Sequence, residues 1–196
     1  MRKLLFLAAM AAIVMIGRQP STAADSTHYG HDSTKMAEEA QMPMGPPEQM
    51  MKIAYFVGTW DVRGKMLDME SGEWREFDAV ARQSFTAGGA AIQMDYEGNM
   101  MGMNLKGHFL QAFNRETEKW QTVWVDNFGG AMSYMEGEEK DGQMVFLGVD
   151  KWAGKEMTNR ITVYNQTETS FDWKMEHSMD GGETFVEAMT STYTKR

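Results

Sequence analysis

The sequence predicts an all-β domain of about ten antiparallel strands in an up-and-down barrel, preceded by a short helix. Three observations carry this. Beyond Gly58 the apolar spacing changes from a helical period to alternation. It is clearest where Phe171, Trp173, Met175 and His177 interleave with Ser170, Asp172, Lys174 and Glu176. Turn-forming residues return roughly every ten to fifteen positions, too close for crossover helices, so neighbouring strands pair antiparallel. An open sheet of such one-sided strands would leave two exposed edges, and closure removes them.

Taken in order, residues 1–24 read as a signal peptide. Arg2 and Lys3 form a charged start, Leu4 to Ile16 an apolar run, and Ser21-Thr22-Ala23-Ala24 a small-residue cleavage region. The expected location is periplasmic or secreted. Residues 25–44 are polar and poor in branched apolar side chains, and read as a flexible leader containing His and Met. Residues 45–196 form the helix-plus-barrel domain. Pro47 suits a first helical turn, and Met50, Ile53, Ala54 and Val57 recur at helical spacing. A helix of about three turns is expected, with Gly58 as its left-handed cap. Strands follow, centred near Val62, Ala79, Met94, Phe109, Val123, Met132, Phe146, Ile161, Trp173 and Met189. Between them lie the turn residues Glu70-Ser71-Gly72, Gly98-Asn99, Asn114 to Lys119, Asn127 to Gly130, Asp141-Gly142, Asn165 to Thr169 and Asp180-Gly181-Gly182.

Charge and composition exclude several classes. The 196 residues carry 28 acidic and 19 basic side chains; without residues 1–24 the basic count falls to 16, a net charge of −12. So acidic a surface argues against nucleic acid and anionic membranes as partners. Past the signal no apolar run reaches the ~18 residues of a membrane-crossing helix, so no membrane insertion is expected. With no cysteine there is no disulfide scaffold, thiolate zinc site, cysteine nucleophile or lipidated cysteine. The sequence sets no oligomeric state.

The segment Tyr55-Phe56-Val57-Gly58-Thr59-Trp60-Asp61, a helix end running through Gly-Thr-Trp into a strand, resembles the opening of lipocalin-like (calycin) barrels. More broadly, Pro46 to Lys195 resembles a bacterial family catalogued as a domain of unknown function. The matching pieces include Asp95-Tyr96-Glu97-Gly98 followed by Met100-Met101-Gly102-Met103, and Gly107 before Phe113-Asn114. Thr122-Val123-Trp124-Val125-Asp126-Asn127 and Tyr193-Thr194-Lys195 complete the set. The resemblance implies a calycin-type barrel and brings no activity or catalytic residues with it.

Methionine is the strongest compositional signal: 18 of the 21 lie beyond residue 24, against four Leu and three Ile there. In the barrel this reads as Met replacing Leu as core filler. In the leader, His28, His31, Met42 and Met44 form the alternative of a soft-metal (copper) site. Alternation places Met94 with Tyr96, Trp124 with Asp126, and Trp173, Met175 and His177 on single strand faces, with Arg160 as an internal charged partner. A ten-stranded barrel is wide enough for a lumen. These eight residues are the expected lining for a small hydrophobic or amphipathic molecule, with no cofactor. His177 as a haem ligand is a further alternative. No Gly-x-Ser-x-Gly elbow, His-Glu-x-x-His or phosphate loop is present, so the reading leans away from an enzyme, with an unknown reaction at Asp126 and Arg160 as the remaining possibility.

Overall fold

The structure is a computed structural model that describes residues 44–100 and 102–196. The expected signal (1–24) and all of the leader (25–44) except its last residue lie outside the described residues. Among the copper candidates this leaves only Met44, which is fully exposed.

One helical turn, α1 (Gln49–Lys52), and a 3-10 turn (Ala54–Phe56) lead into ten strands: β1 (Gly58–Leu67), β2 (Trp74–Thr86), β3 (Ala91–Met100), β4 (Met103–Asn114), β5 (Lys119–Asp126), β6 (Met132–Lys140), β7 (Gln143–Trp152), β8 (Lys155–Tyr164), β9 (Ser170–Ser178) and β10 (Val186–Lys195). Each pairs antiparallel with its neighbour in sequence. β10 returns to β1, with Trp60 opposite Lys195 and Met66 opposite Met189, closing the barrel. All ten expected centres fall in separate strands, although Met132 begins β6 rather than centring it. No helix among the described residues is long and apolar enough to cross a membrane.

Two local expectations need correction. The three-turn helix is a single turn broken at Ile53 (φ −104°, ψ 11°). Ile53, Tyr55, Phe56 and Val57 lose side-chain freedom in a helix, and the chain instead tightens, Phe56 N donating to Ile53 O at 3.0 Å. Gly58 is no helix cap. It opens β1 at φ +142°, and a Cβ there would stand 2.7 Å from Lys195 Cε, whose ammonium crosses to the Tyr55 carbonyl at 3.1 Å. Gly98-Asn99 is not a turn either but lies inside β3, where a Cβ on Gly98 would meet that of Ala79 at 2.5 Å. The chain reverses beyond Met100, and Gly102 N donates to Asn99 Oδ1 at 3.0 Å.

The helical segment plugs one end of the barrel. Met50, Ile53 and Phe56 are buried in the core, Phe56 against Phe171 at the start of β9. Phe171 stacks on Tyr193 (centroids 4.3 Å apart) and meets Phe56 and Trp60 edge-on, each at 4.9 Å. Trp60 is fully buried, and its indole N–H donates to Phe56 O at 2.7 Å. Met50, Met94, Met100, Met135 and Met144 are buried, whereas Leu105 is the one buried Leu among the described residues. Methionine is thus the aliphatic filler of this core.

Carboxylates organise the surface turns. Asp180 accepts hydrogen bonds from the Ser178 hydroxyl (2.6 Å), the Thr184 hydroxyl and the backbone of Glu183 and Thr184. These bonds hold its carboxyl far below the usual range. Asp61 beside Arg196, Glu97 beside Lys106 and Glu176 beside Arg160 are lowered in the same direction. A carboxyl lowered by folding contributes stability above its unfolded pKa and loses it as pH falls through the folded value. The barrel is therefore expected to weaken below about pH 4. Asp180→Asn should narrow the gap between urea midpoints measured near neutrality and in acid. An unchanged gap would mean that this carboxylate does not anchor the β9–β10 loop.

Candidate ligand-binding lumen

Away from the plug, the barrel encloses a cavity of about 460 Å³, floored by Phe56, Val163, Phe171 and Tyr193. Its open end has two sides. Met66 (β1), Met100 (β3), Met103 and Leu105 (β4) and Met189 (β10) make an apolar arc. Facing it, Asp126 (β5), Ser133 (β6), Asp150 (β7), Asn159 (β8) and His177 (β9) make a polar arc across five consecutive strands. Aromatic side chains fill the middle, Tyr96 meeting Trp124 edge-on at 5.9 Å.

Each side of the polar arc is pinned by hydrogen bonds. The Trp124 indole donates to Asp126 Oδ2 at 2.7 Å, while Phe128 N (2.8 Å) and Gly129 N (2.7 Å) donate to Oδ1. Burial acts to raise the Asp126 carboxyl, but these three bonds outweigh it and hold the group below its ordinary value. On the other side, Asp150 Oδ2 accepts from the Ser133 hydroxyl (2.8 Å) and the Asn159 amide (2.7 Å). With its nitrogen committed to Asp150, Asn159 presents its oxygen to His177 Nδ1 at 2.6 Å. Nδ1 therefore carries the proton and Nε2 a lone pair. Burial lowers the His177 pKa and outweighs the Asp150 charge, which acts to raise it, so the neutral ring is favoured.

Trp124 depends on a glycine one strand away. A Cβ on Gly107 would fall 2.0 Å from the Trp124 ring, so the indole lies across bare backbone. Gly64 beneath Phe77 and Gly137 beneath Phe146 repeat the arrangement.

Met94, Tyr96, Trp124, Asp126, Trp173, Met175 and His177 line this one cavity. Arg160 does not. Its neighbours Asn159 and Ile161 point inward, so alternation turns Arg160 to the outer face. There its guanidinium makes two 2.9 Å bonds to Glu176, and the Phe185 ring lies 3.8 Å from Cζ. The internal pair of Asp126 with Arg160 is absent, and with it the geometry for acid–base chemistry between those two. Ser133, Asp150 and Asn159 were not foreseen from the sequence, nor was Gln111, a lining residue whose buried amide nitrogen has no hydrogen-bond partner. The parity of Asn159 with Ile161 and Val163 is the signal that marks it.

A closed antiparallel barrel, plugged at one end and hollow at the other, defines the chain as a lipocalin-like barrel protein. Solved structures agree on that fold. An S-type phycobiliprotein lyase from Guillardia theta is 12% identical with a TM-score of 0.52, over 74% of this chain and 91% of that one. Rv2717c from M. tuberculosis is 6% identical with a TM-score of 0.55, over 77% and 99%. Within this class the chain belongs to the family described as "Protein of unknown function (DUF1579)", whose model matches residues 46–195. No curated protein matches the chain.

Proposed function

We propose that the barrel binds a small hydrophobic or amphipathic molecule in its lumen. One observation carries this: a 460 Å³ hollow lined mainly by Met and aromatic side chains, with five polar residues on one side of its mouth and Gln83, Gln111, Thr122 and Ser191 elsewhere in the lining. Small-molecule sites have that size and that balance. Methionines on the apolar arc suit ligands of varied shape, since the thioether chain is flexible and polarisable. The test is titration with N-phenyl-1-naphthylamine, a neutral dye that fluoresces in apolar surroundings. The parent should bind it, and Trp124→Ala and Trp173→Ala should each change its affinity about tenfold while unfolding cooperatively. No binding by the parent, or unfolding in both variants, would mean that these side chains are core and the lumen is not a site.

Haem held by His177 is a second reading with its own supporting observation. The Nδ1 proton is tied to Asn159, as the far nitrogen of a metal-binding imidazole usually is. Haemin titration should then give an intense visible band that His177→Ala abolishes. Export, which rests on residues 1–24, belongs to the same proposal and is tested by cell fractionation and N-terminal sequencing.

A further inference from the structure

The lumen's charge is one-sided. Its lining includes the carboxylates of Asp126 and Asp150 and no lysine or arginine. An anionic head group entering here would meet no counter-charge and two like charges, in a space where poor hydration strengthens repulsion. Asp126 has both oxygens taken up by Trp124, Phe128 and Gly129. Asp150 does not: Ser133 and Asn159 both bond Oδ2, and Oδ1 has no partner among the described residues. His177 Nε2 is likewise an acceptor without a donor among the described residues, because Asn159 fixes the proton on Nδ1. Two open acceptors, linked through one asparagine, thus stand on the polar side of the mouth.

Resting on the reading of the lumen as a binding site, we propose that its ligand has an apolar body and a non-anionic, hydrogen-bond-donating head, an alcohol or an amine. The head sits on the Asp150–Asn159–His177 arc: an amine has protons for both Asp150 Oδ1 and His177 Nε2, whereas an alcohol, with one proton, donates to His177 Nε2. The body lies against the Met arc and the tryptophans. Carboxylic acids of the same length are rejected by charge, and ethers are bound without head recognition because they have no proton to donate.

Competition against N-phenyl-1-naphthylamine on the full chain, near neutral pH, tests this with four probes of one body: decanol, decylamine, decyl methyl ether and decanoate. Decanol and decylamine should displace the dye at concentrations about tenfold below the ether, with decanoate weakest of all. His177→Phe keeps ring volume while removing the acceptor, and should bring decanol to the level of the ether. Asp150→Asn keeps the shape, removes the charge, and should selectively weaken decylamine. If His177→Phe fails to fold, His177→Gln, which keeps an acceptor, should retain the preference for decanol. Decanoate or ether binding as well as decanol would overturn the head-group assignment while leaving the lumen reading intact. A parent that binds neither dye nor any probe would overturn the lumen reading itself.

Discussion

Trp60→Ala is expected to remove about 3–5 kcal/mol of stability, the range for deleting a large aromatic side chain from a packed core. Its surroundings are poorly able to collapse into the space. Phe171 and Tyr193 are stacked on each other and fixed to β9 and β10, while Phe56 belongs to a short turn with few anchors of its own. The substitution also deletes the indole donor, leaving the Phe56 carbonyl without the bond it accepts at 2.7 Å. The Lys195 ammonium loses the ring face it stands over at 5.2 Å. Urea unfolding measures the loss, and Trp60→Phe, which keeps one ring but loses the N–H and part of the buried ring volume, should cost clearly less. A loss below about 1 kcal/mol for the alanine variant would show that the helical segment is docked without this residue.

Gly107→Ala is expected to disable the lumen although glycine itself contributes no side chain to it. The added methyl would overlap the Trp124 ring, so the indole must swing away and break its bond to Asp126. Overpacking of this kind typically costs 1–3 kcal/mol. Dye affinity should fall about tenfold, and tryptophan emission should shift to the red as the ring meets water. Combining Gly107→Ala with Trp124→Leu separates the effects. If the clash is with the ring, the double variant should regain the stability lost by the glycine substitution alone, and the two changes will be strongly non-additive. Additive losses would mean that the methyl disturbs the backbone of β4 or β5 rather than the indole.

These two sites also show what could be read from the sequence and what could not. Strand number and order were legible because alternation is a local property: Phe171 to His177 declares its two faces without reference to any other strand. Faces were legible for the same reason, so Met94, Tyr96, Trp124, Trp173 and Met175 fall together. Which face is inner is not local, and Arg160 shows the cost. Its parity with Thr158, Thr162 and Tyr164 was readable, but it is the neighbours on the same strand, Asn159 and Ile161, that face the lumen. Glycine was ambiguous in the same way. Gly98 looks like a turn residue and is instead a place where Ala79 comes close, whereas the real reversal at Ala153-Gly154 carries no Asn or Asp to announce it. The polar arc was hidden because Ser133, Asp150, Asn159 and His177 come from four strands, and only the register between β6, β7, β8 and β9 brings them into one chain of bonds.

Closure itself sets the order in which this molecule can assemble. Nine of its ten strand pairings join neighbours across short reversals, but the tenth joins β1 to β10, and the Arg196–Asp61 pair sewn along it spans 135 residues. Formed first, that seam would cost about 2–3 kcal/mol more loop entropy than a hairpin of under ten residues. Formed last, after the meander has curled on its own twist, most of that entropy has already been lost elsewhere. Until then β1 and β10 are both open edges, each able to pair with the other edge of a neighbouring chain. The same register that makes a closed monomer would, between two unfinished copies, make an exchanged dimer. The interval between the synthesis of β9 and the docking of β10 is therefore when the chain is most exposed to pairing with the wrong partner.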